Sequence, residues 1–390
     1  MTDKKAEILA QLAQGAITAT EAFTMLNQLN ETCESPPPTA PEDAPRRNGE
    51  KPPNFDIPPP AYTAPDWVDD LIGGISGVVE DIKDMSIGTS LNEFFSGTYG
   101  HHENTLLFTS APISQGILKL AVIGKNAKVT VQGYDGNVIR VRCKYNARHP
   151  GAQVLFHEED GIYQVMYDES QMRSMEIACE VPYVMVKSAH FASKNGAVTV
   201  DGIQAETMAL YTKNEKIAAN NIHCGAFVAQ NRSGQIRIKT MTARQIQVNT
   251  TNAKIQAEDV RAHNAELRTT NSGIKLAFVD VADLKLYTTN ASLKLDKFLY
   301  DLPGDVDWDA ERTLEAYTTN SSIVFAAPPE VGVKVYAYAK HSRVACKRQD
   351  MYFGELGKEH AQGVSEGFDF ARKKLNVQMQ TTNAPVKIRE

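Results

Sequence analysis

The 390-residue sequence lacks several features that would place it in a familiar class. It has no run of eighteen apolar residues, so no helix that spans a bilayer is predicted, and its first ten residues lack the charged-then-apolar pattern of a secretory signal. It also has no block of basic residues, and its net charge is −6, which argues against nucleic acid as a partner. The expected location is the cytoplasm or the periphery of the membrane, with surface exposure by a non-classical route left open.

Cysteine is scarce as well. The cysteines are odd in number and include no C-x-x-C pair: Cys33, Cys143, Cys179, Cys224 and Cys346. This pattern is typical of reduced thiols rather than of a disulfide framework. His101, His102 and Glu103 could touch a metal, but one short cluster without a downstream ligand group is weak evidence. No metal site and no cofactor is therefore predicted.

The first 95 residues contain three different patterns. Residues 1–30 carry apolar side chains at helical spacing, with Thr18 and Glu21 forming an S/T-x-x-E capping box, which predicts a helical hairpin. Residues 31–65 are rich in proline and poor in apolar side chains, which predicts a flexible linker. Residues 66–95 predict an amphipathic helix.

The apolar stripe of that third segment runs through Trp67, Val68, Leu71, Ile72, Ile75, Val78, Val79, Ile82 and Met85. Its polar face is acidic, whereas helices that lie on anionic lipid are usually basic. The pattern therefore favours a helix docked on the protein itself over a membrane-surface helix. A cap over the open end of the following domain is one such position.

A nineteen-residue repeat dominates the rest of the chain. With Asn195 as position 0, steps of nineteen reach Asn214, Ser233, Asn252, Asn271 and Asn290 without an insertion. Apolar residues recur at positions 3, 5, 8, 10, 13 and 15, so the spacing within each pair is two, as in strands. Three short strands per repeat predict an all-β, three-sided β-solenoid over residues 96–390.

Further rungs of this solenoid are predicted to begin at Asn126, Glu176, Asn320 and Asn383, separated by insertions near 145–175, 301–311 and 340–374. The Asn126 rung includes Ile139 and Val141, and the Glu176 rung has Cys179 and Val181 at positions 3 and 5. The first insertion is typical of a hairpin around Asp160-Gly161. The terminal strand of the last rung, residues 385–389, is a candidate open edge.

Two polar columns mark one corner of each rung. Threonine recurs at position 17 and asparagine at position 0, and such residues can hydrogen-bond to the rung above and below and tolerate turn conformations. The predicted structural ladder comprises Asn195, Asn214, Asn252, Asn271, Asn290, Asn320, Thr250, Thr269 and Thr288.

The outward column at position 16 is the candidate ligand-binding site. It consists of Tyr211, Gln230, Asn249, Arg268, Tyr287 and Tyr317. Aromatic rings interleaved with amides and a guanidinium suit flat glycan or peptide surfaces. Ordinary cross-strand pairing of exposed residues is the favoured alternative.

These repeats resemble the bacterial putative-adhesin domain of YvlB- and LiaX-type proteins, which carries T-x-N-G/A-x-I/V-x-V units on a β-solenoid. The matching stretches are residues 194–200, 251–255 and 270–274, and Gly15, Ile17, Glu21 and Ala22 are similar to the short helical (SHOCT-like) domain that often precedes it. The resemblance implies a non-enzymatic role at or near the bacterial envelope, in the sensing of envelope stress among other roles. The stretch around Arg348, Tyr352 and Phe353 departs from the family pattern.

No catalytic residue is predicted. His223 beside Cys224 suggests a nucleophile and base, but adjacent strand residues face opposite sides, so a core cysteine is favoured.

The leading hypothesis is a scaffold that binds a protein or envelope component, with self-association through the hairpin or the solenoid ends. A bactofilin-like polymerising solenoid is the alternative, and a carbohydrate-processing β-helix enzyme is third.

Overall fold

A computed structural model describes residues 103–114, 116–124, 126–148, 151–298 and 311–389. The predicted helical hairpin, linker and amphipathic helix lie outside these ranges. The described residues form one continuous sheet with two short 3-10 turns, Glu169–Gln171 and Phe368–Phe370. Within these ranges, none of the helical segments has the length and hydropathy needed to cross a membrane.

The strands follow one another closely along the chain. In chain order they are β1 (Glu103–Thr109), β2 (Ile117–Gly124), β3 (Ala127–Tyr134), β4 (Arg140–Ala147), β5 (Val154–Glu159), β6 (Ile162–Tyr167), β7 (Met172–Pro182), β8 (Val186–Ser193), β9 (Val198–Asp201), β10 (Gln204–Thr212), β11 (Ile217–Gln230), β12 (Ile236–Asn249), β13 (Ile255–Arg268), β14 (Ile274–Tyr287), β15 (Leu293–Phe298), β16 (Arg312–Thr318), β17 (Ile323–Ala326), β18 (Val331–Ala339), β19 (Val344–Cys346), β20 (Met351–Leu356), β21 (His360–Ser365), β22 (Lys373–Thr381) and β23 (Val386–Arg389).

The regular part of the fold is the stack of β11, β12, β13 and β14. These strands pair in parallel, and each paired residue lies opposite the one nineteen positions later. Pairing is interrupted at positions 7 and 11 of each rung, which divides the rung into face 1 (positions 3–6), face 2 (positions 8–10) and face 3 (positions 12–16). The predicted three-sided β-solenoid with nineteen-residue rungs is confirmed.

The core fills the inside of this coil. In β11 the inward columns are occupied by Ile217, Ala219, Ile222, Cys224, Phe227 and Ala229, all buried. Removing such side chains from water is the main driving force for folding, at roughly 1.5–3 kcal/mol for each large aliphatic or aromatic side chain. The three inward thiols, Cys143, Cys179 and Cys224, are buried, and burial raises the pKa of each to about 12.

The corner between faces 1 and 2 has a left-handed backbone. At position 7, φ is positive in six successive rungs: Gly202 (68°), Asn221 (51°), Thr240 (52°), Asp259 (58°), Phe278 (53°) and Lys297 (53°). A left-handed conformation costs a non-glycine residue roughly 1–2 kcal/mol. The paired strands on both sides of the corner therefore impose this conformation even on threonine and phenylalanine.

At the N-terminal end, the stacking order departs from the chain order. The rung of β2 and β3 lies between β6 and β7 on one side and β8 and β9 on the other. Beyond β7, the strands β4 and β1 are added in antiparallel orientation, and β5 and β6 form a hairpin whose turn residues, Asp160 and Gly161, both have positive φ.

Two predictions for this end are wrong in register. Val141 lies in the antiparallel strand β4, with Ile139 just before it, so neither belongs to a parallel rung. In β7, Ile177 and Cys179 pair with Val129 and Val131, so they hold positions 3 and 5 two residues earlier than predicted. The error kept the inward assignment because a shift of two residues leaves side chains on the same side of a strand.

The C-terminal end is also stacked out of chain order. The final rung, β22 and β23, lies between the rung of β16 and β17 and the rung of β18 and β19. The hairpin of β20 and β21 then pairs antiparallel with β18. The expected open edge at residues 385–389 is therefore wrong, because β23 is paired on both sides, and part of the interval 340–374 is a rung strand, β19.

Arg348 holds this end together. Its side chain is 1% exposed and donates to both carboxylate oxygens of Asp350, at 2.7 and 2.8 Å, and to the carbonyl oxygens of Pro329 and Val331, at 3.2 and 2.8 Å. Hydrogen bonding from Arg348 lowers the pKa of the Asp350 carboxyl. A buried guanidinium with these partners ties the loop after β19 to the start of β18.

Candidate functional site on the third face

The predicted position 16 column is aligned across six rungs on face 3. Pairing places its members side by side in the order Tyr211, Gln230, Asn249, Arg268, Tyr287 and Tyr317. All are partly exposed except Tyr287, which is 9% exposed. The register that fills the core thus brings these six side chains into one row.

The second half of the row is a closed stack. The guanidinium carbon of Arg268 lies 4.0 Å from the ring centroid of Tyr287, and the rings of Tyr287 and Tyr317 are parallel within 8° at 5.4 Å. Glu266 pairs with Arg268. Both ring faces of Tyr287 are covered, so this ring cannot stack on a ligand, and burial raises the pKa of both phenols. This half of the row stabilises the solenoid.

The opposite edge of face 3 carries a groove, at the corner between faces 2 and 3. This corner groove has a volume of about 820 Å³ and crosses the rungs of β10, β11, β12 and β13. It is lined by Met185, Ala205, Glu206, His223, Cys224, Gly225, Thr242, Ala243, Arg244, Gln245, His263 and Asn264. Its long axis follows the stacking direction, so it suits an elongated ligand.

Gly225 opens the groove at position 11. A Cβ atom there would lie 2.7 Å from the carbonyl oxygen of Glu206 in the preceding rung, closer than Cβ atoms approach backbone oxygens. The next two rungs carry Arg244 and His263 at the same position. The glycine therefore leaves a gap between two polar side chains, Glu206 and Arg244.

The chemistry of the groove is that of recognition by hydrogen bonds. Its floor contains small buried residues, such as Ala205 and Ala243, while Arg244 and His263 on its wall are exposed. His263 Nδ1 lies 3.0 Å from Asn264 Oδ1. The Cys224 thiol on the floor has a pKa raised to about 12 by burial, which keeps it protonated at neutral pH and disfavours attack by a thiolate.

The predicted asparagine ladder forms two separate rows. Side-chain amides donate to the asparagine of the preceding rung at 2.7–2.8 Å, in the pairs Asn195 to Asn126, Asn214 to Asn195, Asn271 to Asn252, Asn290 to Asn271, Asn320 to Asn290 and Asn383 to Asn320. Ser233 stands between Asn214 and Asn252 and interrupts the row. Their hydrogen bonds connect adjacent rungs.

The threonines at position 17 act differently from the predicted side-chain ladder. Thr269 and Thr288 are buried, and their hydroxyls donate to backbone carbonyl oxygens of the preceding turn, Ala253 at 3.2 Å and Ser272 at 3.1 Å. Thr250 is buried, and its hydroxyl has no hydrogen-bond partner among the described residues. This column binds the turn backbone, because its side chains point into the coil.

Metal binding has limited support in the part of the chain that the structure describes. No group of three or more histidine, cysteine, aspartate or glutamate side chains there could hold an ion. His101 and His102 lie outside the described residues. Sequence reasoning missed the corner groove because position 10 of its lining reads as an ordinary core column, and positions 9, 11 and 12 show no constant residue type. Gly225 was its one local signal.

The fold and its register define the class of protein: a β-solenoid domain with nineteen-residue rungs. Residues 122–297 match the family described as Toastrack DUF4097. The SHOCT-like resemblance of residues 1–30 stays a prediction. No curated protein matches the chain.

Several solved structures are similar to this chain at low identity. A putative adhesin from Parabacteroides merdae is 10% identical over 73% of this chain and 95% of its own, with a TM-score of 0.36. One from Parabacteroides distasonis is 9% identical over 74% and 97%, with a TM-score of 0.37. One from Bacteroides fragilis is 10% identical over 74% and 98%, with a TM-score of 0.32.

Proposed function

We propose that the solenoid is a non-enzymatic, adhesin-like binding scaffold that holds an extended glycan of the cell envelope in the corner groove. The observation that carries this proposal is the groove itself, which crosses four rungs and has at least one polar side chain from each of them in its lining. An elongated polymer therefore meets polar groups in successive rungs, about 4.8 Å apart.

The lining suits a glycan that is held by hydrogen bonds rather than by ring stacking. No tyrosine, tryptophan or phenylalanine is among the residues that line the groove. A floor of small residues beside a guanidinium, imidazoles and amides matches a sugar chain, which has apolar C–H faces and hydroxyl edges. Tyr211, Gln230 and Asn249, on the far edge of face 3, are in this proposal a separate contact surface for a ligand.

Cosedimentation with purified peptidoglycan sacculi tests this proposal. The full-length chain is compared with an Arg244→Ala/His263→Ala variant of the groove and with an Arg237→Ala/His341→Ala control, which removes one arginine and one histidine that are exposed elsewhere. We expect the groove variant to bind at least tenfold more weakly and the control to match the native protein. Equal binding by all three, or no sedimentation of the native protein, contradicts the proposal.

The alternative to a glycan ligand is a protein ligand. If sacculi fail to bind and an envelope protein is captured in a manner that depends on Arg244 and His263, the scaffold role stands and the glycan assignment falls. A role in envelope stress and a membrane-peripheral location are part of the same proposal. Fractionation of cells into cytosol, membrane and surface pools checks the location directly.

A further inference from the structure

The central outward column of face 3, at position 14, divides into two halves. Its side chains point away from the core, because those at positions 13 and 15 point inward. The first five members are nevertheless buried, with exposures of 0–4%: Ala121, His190, Ala209, Val228 and Gln247. The next three, in register with them, are partly exposed and charged: Glu266, Lys285 and Glu315.

The first five residues form what we call the covered column. They are adjacent by pairing, from β2 through β8, β10 and β11 to β12. Among the described elements, β10, β11 and β12 pack substantially only against strands of their own and adjacent rungs. The small size of alanine contributes to its low exposure, but the burial of Val228 and Gln247 on an outer face requires an additional covering group.

The chemistry of the covered column suits an apolar partner. Three of its members are alanine or valine, and burial followed by the nearby charge of Lys119 lowers the pKa of His190 to about 4, so the ring is neutral. His190 Nε2 lies 3.0 Å from the Ser188 hydroxyl, while Nδ1 is buried without a hydrogen-bond partner among the described residues. An imidazole nitrogen that faced solvent would be hydrated. The burial of Nδ1 therefore indicates that another group covers this face.

We propose that residues 66–85 of the same chain dock on the covered column. Their apolar stripe, from Trp67 to Met85, would measure about 27 Å as a helix, at 1.5 Å per residue. The covered column spans about 19 Å between its outer rungs, at 4.8 Å per rung, and side chains extend it further. Gly73, Gly74 and Gly77 would allow close approach to a flat sheet.

Length and charge agree with this occupant. Residues 86–102 connect the stripe to β1 and can extend roughly 55 Å, enough to reach across the domain. The polar face of the segment is acidic, and the exposed flanks of the covered column include Lys187 and Arg244, with Glu206 as an acidic residue among them. The docking places this segment on the side of the solenoid rather than over its open end.

Thiol alkylation of single-cysteine additions tests the docking in the full-length chain. Val228→Cys reports on the covered column, and Lys285→Cys reports on the open half of the same column. Each cysteine variant is prepared in the otherwise native chain and in a chain that also carries Ile75→Asp/Val79→Asp. The rate of labelling by iodoacetamide is measured at each cysteine by peptide-resolved mass spectrometry. These two aspartates interrupt the apolar stripe and lie outside the solenoid, so the Lys285→Cys rate monitors an unchanged fold.

We expect labelling at 228 to be at least tenfold slower than at 285, and to accelerate at least tenfold when the stripe is interrupted, with no change at 285. Rapid labelling at 228 in the otherwise native chain contradicts the proposal, since the column would then be open. Labelling at 228 that stays slow in the Ile75→Asp/Val79→Asp background also contradicts the proposal, because the covered column would then be covered by a group other than residues 66–85. Labelling at 228 that is slow at high protein concentration and rapid on dilution would show that a second copy of the chain covers the column, which also contradicts the proposal.

Discussion

The four regular rungs and the two ends of the solenoid are built on different principles. From β11 to β14 each paired residue lies beside the residue nineteen positions later, so the same backbone pairing repeats along the stack. At the ends, antiparallel strands are added and one rung is inserted out of chain order. A repeated sequence can extend such a stack, but only a non-repeated sequence can stop it.

The difference predicts that damage to the two regions will have different consequences. A buried residue in a regular rung touches the rung above and the rung below, so its loss weakens the whole coil. A residue such as Arg348 organises one end, and its loss should open that end alone. Four pairs of variants test this distinction, in order of decreasing effect.

The largest effect is expected from Ile255→Asp in the middle of the stack. Ile255 is fully buried on face 1, and an unpaired carboxylate there should lower the free energy of unfolding by about 4 kcal/mol. Its neighbour Lys254 is exposed, so Lys254→Asp should change stability by about 0.5 kcal/mol or less. Thermal melts of both variants check the alternation, and equal melting temperatures would refute the register.

At the C-terminal end, Arg348→Ala should destabilise by about 3 kcal/mol, because it leaves Asp350 and two carbonyl groups without their donor. Lys347→Ala, which removes an exposed side chain one residue earlier, should be nearly neutral. Hydrogen exchange should show the lost protection confined to β18–β21, with β11–β14 unchanged. A uniform loss over all rungs would show that the end is not a separate unit.

Acidification should weaken the protein through His190. Its folded pKa is about 4 against 6.5 for the ordinary side chain, so the unfolded state takes up a proton first as the pH falls. Stability is complete above pH 6.5 and is lost between pH 6.5 and 4, by about 2 kcal/mol at pH 5 for this group alone. Urea unfolding of the native protein and of His190→Asn, at pH 7 and pH 5, measures this loss.

The Asn variant should lose about 2 kcal/mol less than the native protein over that interval. His341→Asn, which changes an exposed histidine, is the matched control and should follow the native protein. Identical pH dependence in all three would place His190 in water and remove support for a covered column. Asp350 should add a second loss of stability at lower pH. Its pKa is lowered in the folded state, so its stabilising contribution is lost as the pH falls through that folded-state pKa.

The smallest effects concern the asparagine row. Asn271 donates to Asn252 and accepts from Asn290, so Asn271→Ala should cost about 1 kcal/mol. Ser233→Asn should join the two rows and raise stability by about 0.5 kcal/mol. A melt in which Ser233→Asn is as destabilising as Asn271→Ala would show that side-chain amides do not connect these rungs.

The regular rungs were predictable because inward side chains must be apolar at every turn of the coil. Val198, Ile217 and Ile236 repeat that requirement at fixed spacing, which determines the fold class and the faces of each strand. The order of the end rungs depends on which edges pair, and the period of nineteen carries no information on that. The left-handed corner at position 7 was also not predictable. Thr240 and Phe278 do not favour this conformation, and they adopt it because the strands on both sides of the corner are paired.

The candidate site was predictable in part. The position 16 row follows from the register alone, so its membership could be derived from the sequence. Whether its rings are open or stacked depends on side-chain packing, and Tyr287 lies with both faces covered. The corner groove depends on a pairing gap at position 11 and on the missing side chain of Gly225, which no hydrophobic pattern reveals.

Disulfide formation between outward position 4 residues tests the central claim most directly. Lys387 lies beside both Val324 and Ala345, within the reach of a disulfide. Oxidised Val324→Cys/Lys387→Cys and Ala345→Cys/Lys387→Cys variants should therefore form the engineered bond, as should an Arg237→Cys/Gln256→Cys control from the regular rungs. Val324→Cys/Ala345→Cys should not, because β23 separates the two strands; a bond in this pair and none between 324 and 387 would contradict the stacking order.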